Sequence, residues 1–167
     1  MVYCVDCRVD ERLENNFLTL NLCGKPIFLY VIEKLFKIKN NGKIYVLTNS
    51  AEVEKIYASF YRGGGQFVTN LPNEKPFLVF GRAVLLKSNT IEKAVKKYKP
   101  GSMYSVKNDI TIDFNQPNNY ISFIKENNHD SINAFLITDG NKEVEKSFIL
   151  NQSESVVINT TNDFELA

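Results

Sequence analysis

The segment Val5-Asp6-Cys7-Arg8-Val9-Asp10-Glu11-Arg12-Leu13-Glu14-Asn15-Asn16-Phe17 begins where a first apolar run ends and carries two guanidinium groups, Arg8 and Arg12, among several acids. Arginines at the end of a strand can neutralise phosphate oxygens, a task usually shared with backbone N–H groups left accessible by small residues. This segment has no glycine. It is either a phosphate-handling loop without its glycines or a charged surface turn.

Three other patterns invite chemistry and have a plainer account. Cys4-Val5-Asp6-Cys7 spells C-x-x-C, but on a strand these two positions point to opposite faces, and a redox pair instead opens a helix. A zinc site would want a second ligand pair, and the single histidine, His129, lies in a distant Asn-rich stretch. Cys4 and Cys7 are therefore read as strand residues. Arg62-Gly63-Gly64-Gly65-Gln66 follows a predicted helix and precedes a strand, the reverse of a nucleotide cradle, and is read as a turn. Lys93, Lys96, Lys97 and Lys99 alternate with Ala94, Val95 and Tyr98 at helical spacing, which makes them the wet face of a surface helix.

The 167 residues suit a single domain, and 20 Lys plus Arg against 19 Asp plus Glu leave a formal charge of +1, no field for nucleic acid or an anionic membrane. Three cysteines are too few for a disulfide framework, no leader precedes the body, and no apolar run approaches the roughly 20 residues of a membrane-spanning helix. The expectation is a soluble, cytoplasmic protein.

The elements that must position these residues alternate. Residues 2 to 7 read as a buried strand. Ile27, Phe28, Val31, Ile32, Leu35, Phe36 and Ile38 recur at three and four, giving a helix from Pro26 to Lys39, with Gly24 breaking the chain before it and Asn40-Asn41-Gly42 after it. Lys43 to Thr48 is a strand buried on both faces, Ser50 caps a helix to about Tyr61, and Phe77 to Phe80 is the next strand. Asn89-Thr90-Ile91-Glu92 caps a helix to Tyr98, with Glu92 at the third helical position. Strand–helix alternation implies an α/β fold with a mainly parallel sheet. From residue 102 the chain turns β-rich, with strand-like runs at 103–106, 110–114, 120–124, 132–138 and 147–150; a last strand at 155–158 and a helix from Thr160 close it.

Leu22-Cys23-Gly24-Lys25-Pro26-Ile27 resembles the "Leu-x-Gly-Lys-Pro-Leu/Ile" that opens the first helix of sugar cytidylyltransferases of the acylneuraminate and 3-deoxy-manno-octulosonate type. Further stretches are similar in order: PIFLYVIEKLFKIKN, KIYVLTNSAEVEKIYASF, SNTIEKAVKKY and the terminal VVINTTNDFELA, which looks like "Asp-Ile-Asp-Thr-Pro-Glu-Asp-Phe-Glu-Leu-Ala". Together they cover about the first 100 residues and the last dozen. The resemblance implies the three-layer, Rossmann-like nucleotide-diphospho-sugar transferase fold. The chain would then divide into a nucleotide-binding-like half over 1–101, a β-rich half over 102–154 that could serve as a dimer arm, and a closing segment over 155–167.

The same resemblance places Arg8 on the phosphate-loop arginine and Arg12 on a following base, the two implied catalytic groups. Arg8, Arg12, Lys25 and Arg82 are the implied nucleotide-binding residues. Other positions depart from the pattern. Glu11 stands for a small serine, Phe17 for a lysine, and Val157-Ile158-Asn159 for the "Asp-Ile-Asp" whose acids hold magnesium, although Asp163 matches a later acid and also suits a helix start. Asp113, Asp130 and Asp139 remain as other acids, and no metal ligand is assigned.

What this implies is a cytidylyltransferase-like domain, degenerate and weakly active or inactive, still able to bind CTP or a sugar. The alternatives are an active CTP:sugar-acid cytidylyltransferase making a CMP-sugar, with Mg2+ as its cofactor in that case alone, and a non-catalytic assembly or regulatory subunit that forms a homodimer. Neither nucleic acid nor membrane is expected as a partner.

Overall fold

The computed structural model describes residues 2–9, 16–38, 43–61, 66–70, 76–99, 101–106, 134–138, 145–151, 153–159 and 161–166. The elements are β1 Val2–Asp6, β2 Asn21–Leu22, β3 Lys25–Pro26, α1 Ile27–Phe36, β4 Ile44–Leu47, α2 Ala51–Phe60 and β5 Gln66–Val68. They continue with β6 Pro76–Phe80, α3 Ser88–Lys97, β7 Ser102–Val106, β8 Phe135–Thr138, β9 Glu145–Ile149 and α4 Thr161–Leu166.

The chain forms a mixed α/β fold around one mainly parallel seven-stranded sheet in the order β5-β4-β1-β6-β8-β7-β9. Tyr3 pairs with Ile44 on one side and with Phe77 on the other, both parallel; β8 runs antiparallel to β6 and β7, and β9 pairs parallel with β7. Near-continuous apolar runs such as IYVL and PFLVF suit strands buried on both faces. From β1 the chain moves first to β4 and later to β6 on its other side, so the order reverses at β1. A crevice outside the carboxyl ends of β1 and β6 is where such sheets bind ligands.

One face of the sheet, carrying Tyr3, Val5, Ile44, Val46, Phe77 and Val79, packs in a single core with α1, α2 and α3 through Phe28, Ile32, Leu35, Val53, Tyr57, Ile91 and Ala94. Helix α1 touches both of the others. Ser88 of α3 donates its hydroxyl hydrogen to the Lys34 carbonyl, and the Phe36 and Tyr61 rings meet at 5.4 Å. On the opposite face Cys4, Leu47 and Leu78 form a smaller cluster, as strand alternation requires.

Three local readings change. The Gly24 break is the tip of a two-residue hairpin joining β2 and β3, with φ of 49° at Cys23 and 85° at Gly24; that pair of positive angles suits a type I′ turn. The box read at Asn89–Glu92 does not cap α3. Lys87 is the N-cap residue and supplies no side-chain bond, whereas Glu154 accepts from both the Lys87 N–H at 2.9 Å and the Thr90 hydroxyl at 2.6 Å. The strand expected at 155–158 is also absent. That stretch follows a turn in which Ser155 N donates to Asn151 O, and its contact with the sheet's loops is Ile158 N on Arg82 O at 3.2 Å, a tie rather than a ladder.

The helix cap at Ser50 forms as read, its hydroxyl accepting from Val53 N. Strands expected at 110–114 and 120–124, the stop at Asn40-Asn41-Gly42 and the glycine turn at 62–65 lie outside the described residues. Among the described residues no helix is long and apolar enough to cross a membrane.

Candidate functional site

The loops at the carboxyl ends of β1, β4 and β6 are tied to one another by backbone groups. Cys7 N donates to Leu47 O at 2.7 Å, and Gly81 N donates to Asp6 O at 2.9 Å. A Cβ on Gly81 would lie 2.9 Å from Asp6 O, 2.9 Å from Leu18 Cδ2 and 3.0 Å from Cys7 Sγ, so this approach admits only glycine. The buried Thr48 hydroxyl donates to Cys7 O at 3.2 Å and accepts from Ser50 N at 3.1 Å. Val9 N donates to the Asn49 side-chain oxygen at 2.9 Å, extending the tie outward.

Arg8 projects from this frame. Its Nε donates to Asp6 Oδ1 at 2.9 Å and its Nη2 to Asp6 Oδ2 at 2.6 Å, the two-pronged geometry that a guanidinium and a carboxylate favour. Arg8 N adds a third bond to Asp6 Oδ1 at 3.1 Å. The Asp6 side chain is 12% exposed and that of Arg8 is 51% exposed. The hydrogen bond to Asp6 holds the Arg8 guanidinium above its ordinary, already high pKa.

At the end of β6, Arg82 follows Gly81 and donates from Nη1 to Asn159 Oδ1 at 2.6 Å. Asn159 is thereby engaged at the position where the resembled pattern has a metal-binding acid. Val157, two residues earlier, is buried in the main core. Phe17 is buried against Ile27, Val84 and Ile158, with Leu22, Leu85 and Phe164 packed around them. It staples the end of the β1 loop to the closing segment.

Lys25 sits in the hairpin. Its amine lies 2.6 Å from Glu33 Oε1 and 4.7 Å from the centre of the Tyr30 ring, so its charge is engaged on α1. The structure thus sets Arg8 and Arg82 on adjoining loops, and places Lys25 on the hairpin that leads into α1. Arg12, together with Asp10, Glu11 and Glu14, lies outside the described residues, as do His129, Asp113, Asp130, Asp139 and the Asp163 side chain.

Cys4 and Cys7 are free, buried and on opposite faces. Burial first, then nearby Asp6, pushes the Cys4 thiol up to about 12 and the Cys7 thiol higher than its usual value, so neither is a ready nucleophile or metal ligand. Among the described residues no three His, Cys, Asp or Glu side chains stand together as a metal site would need. Asp6 ends β1, and both its carboxylate oxygens accept from Arg8. The described residues do not fit a resident magnesium ion.

Two partners in this site escaped the sequence reading. Asp6 was readable as an acid two residues before Arg8 at a strand end. The contact between Arg82 and Asn159 spans 77 residues and left no local signal.

No protein-family model matches the chain, and no curated protein matches its sequence. Solved structures do match its fold. A 4-diphosphocytidyl-2C-methyl-D-erythritol synthase from Anaerococcus prevotii superposes with a TM-score of 0.65 at 9% identity, covering 99% of this chain and 93% of that one. A cytidylyltransferase from Leptospira borgpetersenii gives 0.61 at 12% identity over 98% and 83%. A CMP:2-keto-3-deoxy-manno-octonic acid synthetase complexed with CTP gives 0.50 at 12% identity, over 64% of this chain and 52% of that one, so the chain spans about half the length of that protein. At these identities the likeness is one of fold.

Proposed function

We propose that this chain is a cytidylyltransferase-like domain whose crevice at the carboxyl ends of β1 and β6 binds a nucleotide such as CTP, or a sugar, with weak or no transfer. The shared fold of cytidylyltransferases supports the scaffold. The observation that carries the loss of transfer is Phe17. A ring buried among Ile27, Val84 and Ile158 occupies the sequence position at which the resembled loop has a lysine.

The consequence is electrostatic. Nucleotidyl transfer builds negative charge on departing pyrophosphate, and one preorganised donor there is worth roughly 3 to 4 kcal/mol. A buried phenylalanine supplies none of it. Asn159, held by Arg82, offers a neutral oxygen where a hard cation would want a carboxylate.

Titration calorimetry with CTP and magnesium, followed by pyrophosphate release with candidate sugar acids, tests the reading. Weak heat with little or no turnover is expected. Turnover at enzyme-like rates would replace it with an active CTP:sugar-acid transferase using Mg2+, and no heat at millimolar nucleotide would leave a cytoplasmic assembly or regulatory subunit that dimerises.

A further inference from the structure

The side chains of Asp6 and Arg8 differ in how far they are enclosed. Asp6 ends a central strand, its carbonyl is fixed by Gly81 N, and its side chain is 12% exposed. Arg8 lies beyond the strand with half its side chain in solvent. Three bonds join them, at 2.6, 2.9 and 3.1 Å, and Asp6 Oδ1 takes two of the three. As a unit the pair carries no net charge. It presents an approaching polyphosphate with a guanidinium already paired and a carboxylate that repels it.

We propose that Asp6 gates access to Arg8 at the end of β1 by holding it in this two-pronged ion pair, so that a polyphosphate gains Arg8 only by drawing it off the carboxylate. The inference rests on the reading that the crevice takes a nucleotide, and it adds what limits that binding. Arg8 is the moving partner and Asp6 the fixed one. Hydroxyl groups of a sugar do not have to break the pair, since they can accept from Arg8 and donate to Asp6 together. The closed pair therefore favours uncharged, hydroxyl-rich ligands over polyphosphates.

The test is calorimetry with inorganic triphosphate and with CTP on the wild-type chain, Asp6→Asn, and Asp6→Asn combined with Arg8→Ala. Circular dichroism and thermal melts establish folding. Asp6→Asn is expected to bind triphosphate at least about tenfold more tightly than wild type, equivalent to ~1.4 kcal/mol. That binding should weaken more steeply with salt, and the gain should vanish in the double variant. Asp6→Ser, also neutral, carries the same comparison if asparagine unfolds the strand end. Triphosphate binding no tighter in the folded variant than in wild type overturns the gate; if CTP still binds both, the nucleotide reading survives. If no form binds either ligand at millimolar concentration, gate and nucleotide reading fall together.

Discussion

Glu154 accepts a hydrogen bond from the Thr90 hydroxyl at 2.6 Å across 64 residues of chain. The same oxygen accepts from Lys87 N, while Oε2 accepts from the Asn151 side chain. A buried carboxylate from the turn just before the closing segment is thereby the cap of α3, favourably placed at the positive end of that helix. Glu154→Ala removes the shared acceptor of three part-buried hydrogen bonds and leaves their donors to solvent. It is expected to lower the unfolding free energy by about 1 to 2 kcal/mol, read from urea denaturation.

Lys34 of α1 donates to the Val84 carbonyl, and burial lowers its pKa to about 8 from 10.5, with Glu154 opposing the shift and Lys37 adding to it. The unfolded chain keeps this proton to about pH 10.5, whereas the folded chain releases it near 8. Between those values the unfolded state binds more protons, so this lysine's contribution to stability rises with pH. Cys4, pushed up to about 12 from 9.0, acts in the opposite direction over an overlapping range. The comparison with Lys34→Met isolates the lysine. Wild type should gain roughly 1 to 2 kcal/mol relative to the variant between pH 8 and pH 10.5, after discounting for partial exposure. Paired urea titrations across that window read it out.

Gly81 and Gly24 make opposite demands on a methyl group. At Gly81 an added Cβ meets Asp6 O and Leu18 at 2.9 Å, while at Gly24 it meets open space on a backbone with φ of 85°. Gly81→Ala must push apart the ends of β1 and β6, at a cost of about 2 to 3 kcal/mol, and it should also weaken any ligand held near Arg8 and Arg82. Gly24→Ala meets only backbone strain of about 1 to 2 kcal/mol at the tip of the β2–β3 hairpin. Stability and binding should therefore separate: both fall for Gly81→Ala, and stability alone falls for Gly24→Ala. Melting curves and calorimetry on the two variants decide.

Local periodicity carried most of the scaffold. Helix α1 was readable from Ile27, Val31 and Leu35, and β4 and β6 from unbroken apolar runs, because burial acts on each residue where it stands. What escaped was long-range or conformational. The α3 cap comes from Glu154, and nothing near Lys87 announces it. The hairpin depends on positive φ at Cys23, a residue that rarely advertises one. Val156-Val157-Ile158 has strand-like composition, yet the stretch meets the Arg82 loop through Ile158 N on Arg82 O instead of joining the sheet. At the end of β1, Arg8 was readable as a base at a strand end. Its capture by Asp6 needed side-chain geometry, since an acid two residues away could equally have faced solvent.

Phe17→Lys tests whether the resembled loop can be restored by composition alone. The lysine would replace a ring packed on Ile27, Val84 and Ile158, with Phe164 beside them, and would bring a charge into an apolar cluster. Loss of the ring alone is worth about 3 to 5 kcal/mol, and the buried ammonium adds to it. The variant is expected to lose that stability in urea denaturation, to loosen the closing segment that carries Asn159, and to show no gain in pyrophosphate release with CTP. An unchanged denaturation midpoint with tighter CTP binding would mean that residue 17 faces the crevice, and that its ring is the block to transfer. The packing argues the other way: Phe17 joins the β1 loop to the last segment of the chain, and a lysine there breaks that joint before it reaches any phosphate.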